Sequence, residues 1–261
     1  MKVSIITATF NSQSTIEKCI NSIRSQTYKN IEHVVIDGNS SDKTVDIITP
    51  FINNSDYFIS ESDDGIFDAL NKGLKAASGD IIGYLHSDDE FFSNETVEKI
   101  VNEFKTGVCG VYGNLIYVKR NKKHTPLRYW KSNNFKPIML KYGWMPPHPT
   151  LFLSREVYKE IGQYDLNFKI SSDYDFMIRV FSKKKFKIKY LNKVITKMLV
   201  GGTSNRNIYN IVKKSIEDFH IIRKNNVGGF WTLLFKNVRK INQFFIPTNN
   251  FFDNQEAKRT F

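Results

Sequence analysis

Carboxylates gather where three runs of strand-forming residues end. Ile81-Ile82-Gly83-Tyr84-Leu85 runs into Asp88-Asp89-Glu90, Ile31 to Ile36 runs into Asp37, and Asp56 to Ser60 runs into Glu61 and Asp63. Two adjacent aspartates can hold a hard divalent cation through oxygen, and the cation can in turn hold a diphosphate. Aspartate is also a common turn and cap residue, which accounts for any one of these clusters taken alone. In a parallel sheet the three ends converge on one edge, where ligands of open α/β sheets bind. A metal–diphosphate site accounts for the clustering as a whole.

The elements that must position these acids are legible by periodicity. Val3-Ser4-Ile5-Ile6-Thr7-Ala8-Thr9 is a β-branched first strand. Ser14-Thr15-Ile16-Glu17 fits a capping box, and Ile16, Cys19, Ile20 and Ile23 form the apolar face of the helix it opens. A second helix carries Val45, Ile48 and Ile52, and a third carries Ile66, Ala69, Leu70 and Leu74 before Gly79. Strand and helix alternating through Leu85 predict a parallel α/β sheet. Beyond it lie a helix over 95–104, a strand over 108–118 with its turn at Asn121-Lys122-Lys123, and a proline-rich irregular segment over 124–149. A loop of that length inside a compact domain is usually functional. A short strand follows at 150–153, then helices at 155–161 and after Ser171-Ser172-Asp173. The Lys/apolar alternation of 186–199 predicts an edge strand, and from Ile208 the pattern is helical and basic.

Composition bounds the class. The 261 residues are 41% hydrophobic with 21 Phe and 12 Tyr, enough for a large core. No charge-free stretch reaches the roughly 18 residues of a membrane-spanning helix. The start at Met1-Lys2-Val3 enters a strand without a signal-peptide core, so a cytosolic location is expected. Cys19 and Cys109 sit amid apolar residues and read as free thiols. Residues 1–182 hold 21 Lys/Arg against 22 Asp/Glu, whereas residues 183–261 hold 17 against 4. The basicity therefore belongs to the last third, and any acidic partner meets that end.

Several motifs, taken in order, resemble the inverting glycosyltransferases of family 2. They are Ser4 to Asn11, Val35-Ile36-Asp37-Gly38-Asn39-Ser40-Ser41-Asp42, Gly65-Ile66-Phe67-Asp68-Ala69-Leu70-Asn71-Lys72-Gly73, Ser78-Gly79-Asp80, Asp88-Asp89, Ser172-Asp173-Tyr174-Asp175 and Gly201-Gly202-Thr203-Ser204. The match covers roughly residues 1–205 and looks most like the bacterial branch that assembles O-antigen and capsule. The resemblance implies an α/β GT-A nucleotide-diphosphosugar transferase fold: a Rossmann-like, mixed but mostly parallel sheet flanked by helices. It implies that Thr7, Thr9 and Asn11 line the nucleotide cleft and that Asp37 accepts a hydrogen bond from the base. Asp63 and Lys72 would help hold nucleotide and phosphates, Asp88 the ribose, and Asp89 a divalent metal, Mg2+ or Mn2+. Asp173 matches the family's general base. The chain departs where Ser172 replaces a usual Glu and where Ser87 replaces the first Asp of an Asp-x-Asp. His148 stands in the loop where the family keeps an acceptor-side His; an acceptor-side role and an exposed loop residue are equal readings of it. Trp144 could stack on a sugar ring or simply pack in the core.

An inverting transfer needs a base on the acceptor hydroxyl and stabilisation of the leaving diphosphate. The base must lie opposite the leaving group, so it should come from a different part of the chain than the metal ligand, as Asp173 does. The expected organisation is a catalytic domain over 1–205, with a nucleotide-sugar half to about 105 and an acceptor half from about 106. A basic helical tail over 206–261 follows. Residues 208–247 mix Lys and Arg with Ile, Phe, Trp and Leu, which suits a helix lying on an anionic membrane or one packed on the catalytic domain. Expected partners are a nucleotide-diphosphate sugar donor, UDP by default, and a lipid-linked oligosaccharide acceptor at the inner face of the cell membrane. No nucleic-acid recognition motif is present. The alternative is a nucleic-acid- or membrane-binding protein on an inactive scaffold of the same fold. Gly201-Gly202-Thr203-Ser204 with Arg206 suggests a lid or a plain turn.

Overall fold

The computed structural model describes residues 1–104, 107–119, 125–200 and 208–242. Strand β1 (Val3–Thr9) is buried at every position. Val3 and Ile5 face one core and Ile6 and Ala8 the other, which is why the strand reads as a continuous apolar run. It is flanked by β2 (Ile31–Asp37) and β4 (Ile81–Tyr84), and β3 (Tyr57–Ser60) lies outside β2; all three pairings are parallel. Thr9 pairs with Asp37, and Asp37 with Ser60, so the carboxyl ends of these strands do form one edge. Helices α1 (Ile16–Arg24) and α2 (Thr44–Ile48) cover one face, and α3 (Ile66–Ala76) the other.

Local details differ from expectation. Thr15, not Ser14, caps α1, and no side chain bonds to the cap; the carbonyl of Ser12 accepts from Thr15 and Ile16 instead. Pro50 draws the end of the second helix into a 3-10 turn, Thr49–Phe51, because proline brings no N–H to an α-helix.

Past β4 the sheet becomes mixed. Its order is β3-β2-β1-β4-β8-β6-β9-β5, with β7 paired to β6. Here β5 is Asp89–Phe91, β6 Val108–Val118, β7 Pro126–Trp130, β8 Phe152–Ser154 and β9 Lys187–Leu199. Helix α4 (Thr96–Val101) follows β5. The irregular segment thus contains a hairpin strand, β7, and 3-10 turns at Pro137–Tyr142 and His148–Thr150. Strand β9 is not a simple edge: its C-terminal half lies between β6 and β5.

Helices α5 (Arg155–Ile161) and α6 (Ser172–Phe181) follow β8. Helices α7 (Ile208–Lys224) and α8 (Phe230–Asn242) pack on them, with Ile221, Ile222 and Val227 entering the main core. Cys19 and Cys109 are free. No helix among the described residues is long and apolar enough to cross a membrane. The turn at 121–123 and the Gly201-to-Arg206 segment lie outside the described residues.

Candidate active site

The site is built on the carboxyl edge of β1 to β4. Asp37, fully buried at the end of β2, is held by Ser40 and Ser60: its oxygens accept from the Ser40 backbone N–H (2.9 Å) and the hydroxyls of Ser40 (2.5 Å) and Ser60 (2.6 Å). Asn11, at φ 47°, joins this loop by accepting from the Ser41 N–H at 2.9 Å. Gly38 lets Asp63 close in, since a Cβ there would lie 2.6 Å from Asp63 Oδ2. Asp63 in turn accepts from the Gly65 N–H at 2.9 Å. Phe10 stands 62% exposed beside Gly38, a flat apolar face that no periodicity in the chain singles out.

Thr9 is buried, and its hydroxyl has no hydrogen-bond partner among the described residues. Thr7 is turned inward: its hydroxyl donates to the Leu85 carbonyl (2.8 Å) and shares a 2.9 Å bond with His33 Nε2, so it braces β1 against β4 and β2. Lys72 spends its ammonium on Glu61 and the Ser62 carbonyl, both at 2.8 Å, and on Asp68 at 3.6 Å.

Asp89 is the anomaly of the site. It is 0% exposed, and neither carboxylate oxygen has a hydrogen-bond partner among the described residues. Burial pushes its pKa well above the ordinary carboxylate range, and the neighbouring Asp88 and Glu90 add to the shift. A buried, unpartnered carboxylate is costly. Oxygen ligands aimed at a divalent cation would account for it, because a cation inverts that local electrostatic logic. No group of three or more His, Cys, Asp or Glu side chains suited to a metal occurs among the described residues, so such an ion would take further ligands from whatever it binds. Asp88 is half-buried in the turn before β5, and Ser87 shares a 2.9 Å bond with Ser12.

Asp173 lies in the first turn of α6, which opens at Ser172 with Ser171 as cap, rather than capping a helix that starts at Tyr174. Its Oδ1 accepts from the Tyr174 N–H at 2.8 Å. Burial pushes the Tyr117 hydroxyl up, Arg128 opposes this, and the charges of Asp89 and Asp173 both reinforce it. Burial likewise pulls His86 below its ordinary value while Asp88 and Asp173 oppose. Asp173 and the Asp88-Asp89 pair, far apart in sequence, therefore act on the same region, with Asp173 and Asp89 on Tyr117 and Asp173 and Asp88 on His86. Arg128 lies 4.7 Å above the Tyr117 ring. Neither Tyr117 nor Arg128 carried a sequence signal, because only the β6–β7 hairpin brings them together. Ser172, where the family usually has Glu, donates to the Asp165 carbonyl at 2.8 Å.

His148 is buried, corrects the exposed-loop reading, and faces the same region. Its Nε2 is 2.7 Å from the Tyr164 hydroxyl and its ring stacks on Tyr84. Burial pulls its pKa down to about 4, helped by His86 and opposed by Asp173. Trp144 corrects the sugar-stacking expectation. Tyr112, Phe135 and Phe181 pack around its indole, and its N–H donates to Asn133 at 2.8 Å, so it is core.

Residues 4–162 match the sequence model of Glycosyl transferase family 2. An uncharacterized glycosyltransferase of Mycobacterium tuberculosis is 33% identical over 184 residues, 68% of each chain. A PGL/p-HBAD biosynthesis glycosyltransferase of Mycobacterium bovis is 29% identical over 209 residues, 77% of this chain and 78% of that one. A Campylobacter jejuni GalNAc(5)-diNAcBac-PP-undecaprenol beta-1,3-glucosyltransferase is 34% identical over 122 residues, 45% of this chain and 39% of that one. Among solved structures, S. aureus TarS 1–349 in complex with UDP-GlcNAc superposes with a TM-score of 0.64 at 17% identity, covering 97% of this chain and 75% of that one. The mannosyltransferase PcManGT of Pyrobaculum calidifontis, in complex with GDP-Man and Mn2+, gives 0.64 at 14% identity, covering 99% and 79%. These neighbours share the GT-A fold.

Proposed function

Because this chain belongs to glycosyl transferase family 2, we propose that it moves a sugar from a nucleotide-diphosphate sugar, a UDP-sugar, to a hydroxyl of a lipid-linked glycan by a metal-assisted, inverting single displacement. Its relatives work in polysaccharide and glycolipid biosynthesis. The TarS complex with UDP-GlcNAc supports the donor class, and the Campylobacter relative, named for an undecaprenol-linked substrate, supports the acceptor class. The observation that carries the reading is the buried carboxylate of Asp89, without a hydrogen-bond partner among the described residues, at the start of β5 just after the turn that leaves the carboxyl end of β4.

Each residue has a task. The Asp37–Ser40–Asn11 loop, Asp63 and Thr9 hold the nucleoside, with Phe10 against the base; Thr7 supports the floor beneath them. Lys72 orients the Glu61–Asp63 loop toward the phosphates, and Asp88 binds ribose. Asp89 would hold the metal, with diphosphate oxygens completing its shell. A bound Mg2+ or Mn2+ neutralises charge developing on the leaving diphosphate. Asp173 takes the proton from the acceptor hydroxyl; the oxygen attacks the anomeric carbon from the opposite face as the bond to the diphosphate breaks. His148 stays neutral on the acceptor side and orients Tyr164. The catalytic domain spans residues 1–205, and the helices beyond it attach the protein peripherally to the cytoplasmic face of an anionic membrane.

The test is a thermal shift with UDP and GDP, with and without Mn2+, followed by slow hydrolysis of a panel of nucleotide sugars. Metal-dependent protection by UDP and hydrolysis of one UDP-sugar are expected. Protection by neither nucleotide in the presence of metal would sink the reading.

A further inference from the structure

Helix α8 is built inside out. An amphipathic helix on a soluble domain buries its apolar stripe and shows its polar one. Among the described side chains of α8 the buried positions are Thr232 and Lys236, each 3% exposed, and of its apolar residues only Leu233 turns partly toward the main core. Phe230 and Trp231 are 64% and 66% exposed, and Leu234, Phe235 and Val238 are exposed as well. The polar face is fixed in place. Thr232 donates to the Lys141 carbonyl at 2.8 Å, and the Lys236 ammonium meets Asp218 at 2.6 Å and lies 3.3 Å from the Tyr174 ring centroid. Gly143, in the left-handed region at φ 65°, allows this close docking, since a Cβ there would lie 2.7 Å from the Thr232 carbonyl oxygen. The rotation of α8 is therefore set by polar contacts that point its apolar stripe away from the protein.

The stripe does not stop at α8. The Tyr142 ring lies 5.4 Å from that of Phe235, and Tyr142 and Ile138, both exposed, belong to the loop that ends at His148. A contiguous apolar patch of this kind marks an interaction site. Its rim is cationic: Lys136, Lys141, Arg223 and Arg239 are exposed, and a cleft of about 500 Å3 lined in part by Lys141, Arg223 and Trp231 opens beside it.

We propose that this composite face, the outer stripe of α8 with Ile138 and Tyr142, inserts into the headgroup region of an anionic phospholipid bilayer. This insertion rests on the membrane attachment proposed above: the surface includes the acceptor-side loop, so a lipid-linked acceptor would arrive along the loop leading to His148. Charge decides against a second copy as the occupant. Residues 183–261 carry 17 Lys/Arg against 4 Asp/Glu, so two such faces would set like charges together, whereas anionic headgroups complement the rim.

The test is co-sedimentation of the full chain with phosphatidylcholine vesicles, alone or with about one-third phosphatidylglycerol. The protein should pellet with the mixed vesicles and stay in solution with the neutral ones. Binding should fall at least about tenfold in Trp231→Glu/Phe235→Glu, and measurably in Ile138→Glu and in Lys141→Glu/Arg239→Glu, as expected when apolar insertion and headgroup attraction act together. Tyr57→Glu, an exposed aromatic on the distant strand β3, should bind as the wild type does. Unchanged binding by the Trp231/Phe235 variant overturns the proposal. So does a wild type that ignores vesicles but runs as a dimer that this variant dissociates. Donor hydrolysis in solution, measured on the same samples, separates the two readings: it should survive in the variants, and its absence from the wild type would count against the catalytic reading alone.

Discussion

The carboxylate of Glu217 accepts a hydrogen bond from the backbone N–H of Ser171 at 3.0 Å, two residues before Asp173. It also accepts from Ile170 at 2.9 Å and Lys169 at 3.1 Å, and Lys214 donates to the Ser171 hydroxyl. One acid on α7 thus holds the whole entry to α6. Hydrogen bonds to a charged acceptor contribute about 1.5–3 kcal/mol each. Glu217→Ala should lower kcat roughly 10- to 100-fold with the donor KM little changed, because the entry loop and not the nucleotide cleft is loosened. Glu217→Gln, which still offers an acceptor oxygen, should recover part of the loss. Steady-state kinetics on the two variants decide this, and an equal rise in donor KM would assign Glu217 a general structural role.

Asp173→Asn preserves an acceptor for the Tyr174 N–H and so should leave the fold intact. Loss of a general base costs about 10²- to 10⁴-fold. Turnover should fall in that range while the thermal shift given by UDP and metal stays as in wild type. Normal turnover would mean that another group takes the proton.

Replacing Asp89 with Asn removes a buried acid whose ionisation burial opposes and whose oxygens have no hydrogen-bond partner among the described residues. Without metal, the melting temperature should rise by about 2–4 °C for each kcal/mol relieved. Turnover and the metal-dependent nucleotide shift should both disappear. Calorimetry with and without Mn2+ reads both effects, and full turnover in the variant would relocate the metal site.

Stability should fall on acidification. Burial, with Arg24 adding and Asp56 opposing, pulls His33 down to about 3, and His148 sits at about 4. Both stay neutral in the fold, whereas the unfolded chain protonates them near 6.5. Protons therefore favour the unfolded state below that value: stability is full above pH 6.5 and drains as pH falls toward 4. At pH 5 each could cost up to about 2 kcal/mol. Unfolding midpoints at several pH values should show the loss, and His33→Gln should flatten the slope. An unchanged slope would assign the loss to other groups.

Lys236 and Asp218 form a buried pair, and Lys214, 4.0 Å from Asp218, is a second, more exposed cation for the same carboxylate. A fully uncompensated buried charge costs about 3–5 kcal/mol; with Lys214 still beside Asp218, Lys236→Met should cost less than that, and Lys236→Met/Asp218→Asn should recover most of the loss. Chemical denaturation of the two variants tests the coupling. Equal losses in both would mean that the pair does not fix α8.

Much of this was legible in the chain. The alternation through Leu85 gave the parallel strands, because strands buried on both faces need unbroken apolar runs and helices need a 3.6-residue stripe. Asp37, Asp63 and Asp89 stood out because strand ends of a parallel sheet share an edge. The capping box failed, since Ser12 supplied the contacts from the backbone, and β7 was hidden in a proline-rich segment.

Element types, the acid-bearing strand ends and the family motifs are local features, written in spacings of a few residues. Tertiary structure alone decided the rest. It turned Trp144 into core and Thr7 inward, set β9 between two strands, brought Asp173 and Asp89 to act on Tyr117, and rotated α8 so that its aromatics face out. Each of these depends on a partner distant in the chain, such as Asn133 for Trp144, β5 for β9 and Asp218 for Lys236, and no local periodicity encodes which partner a side chain will meet.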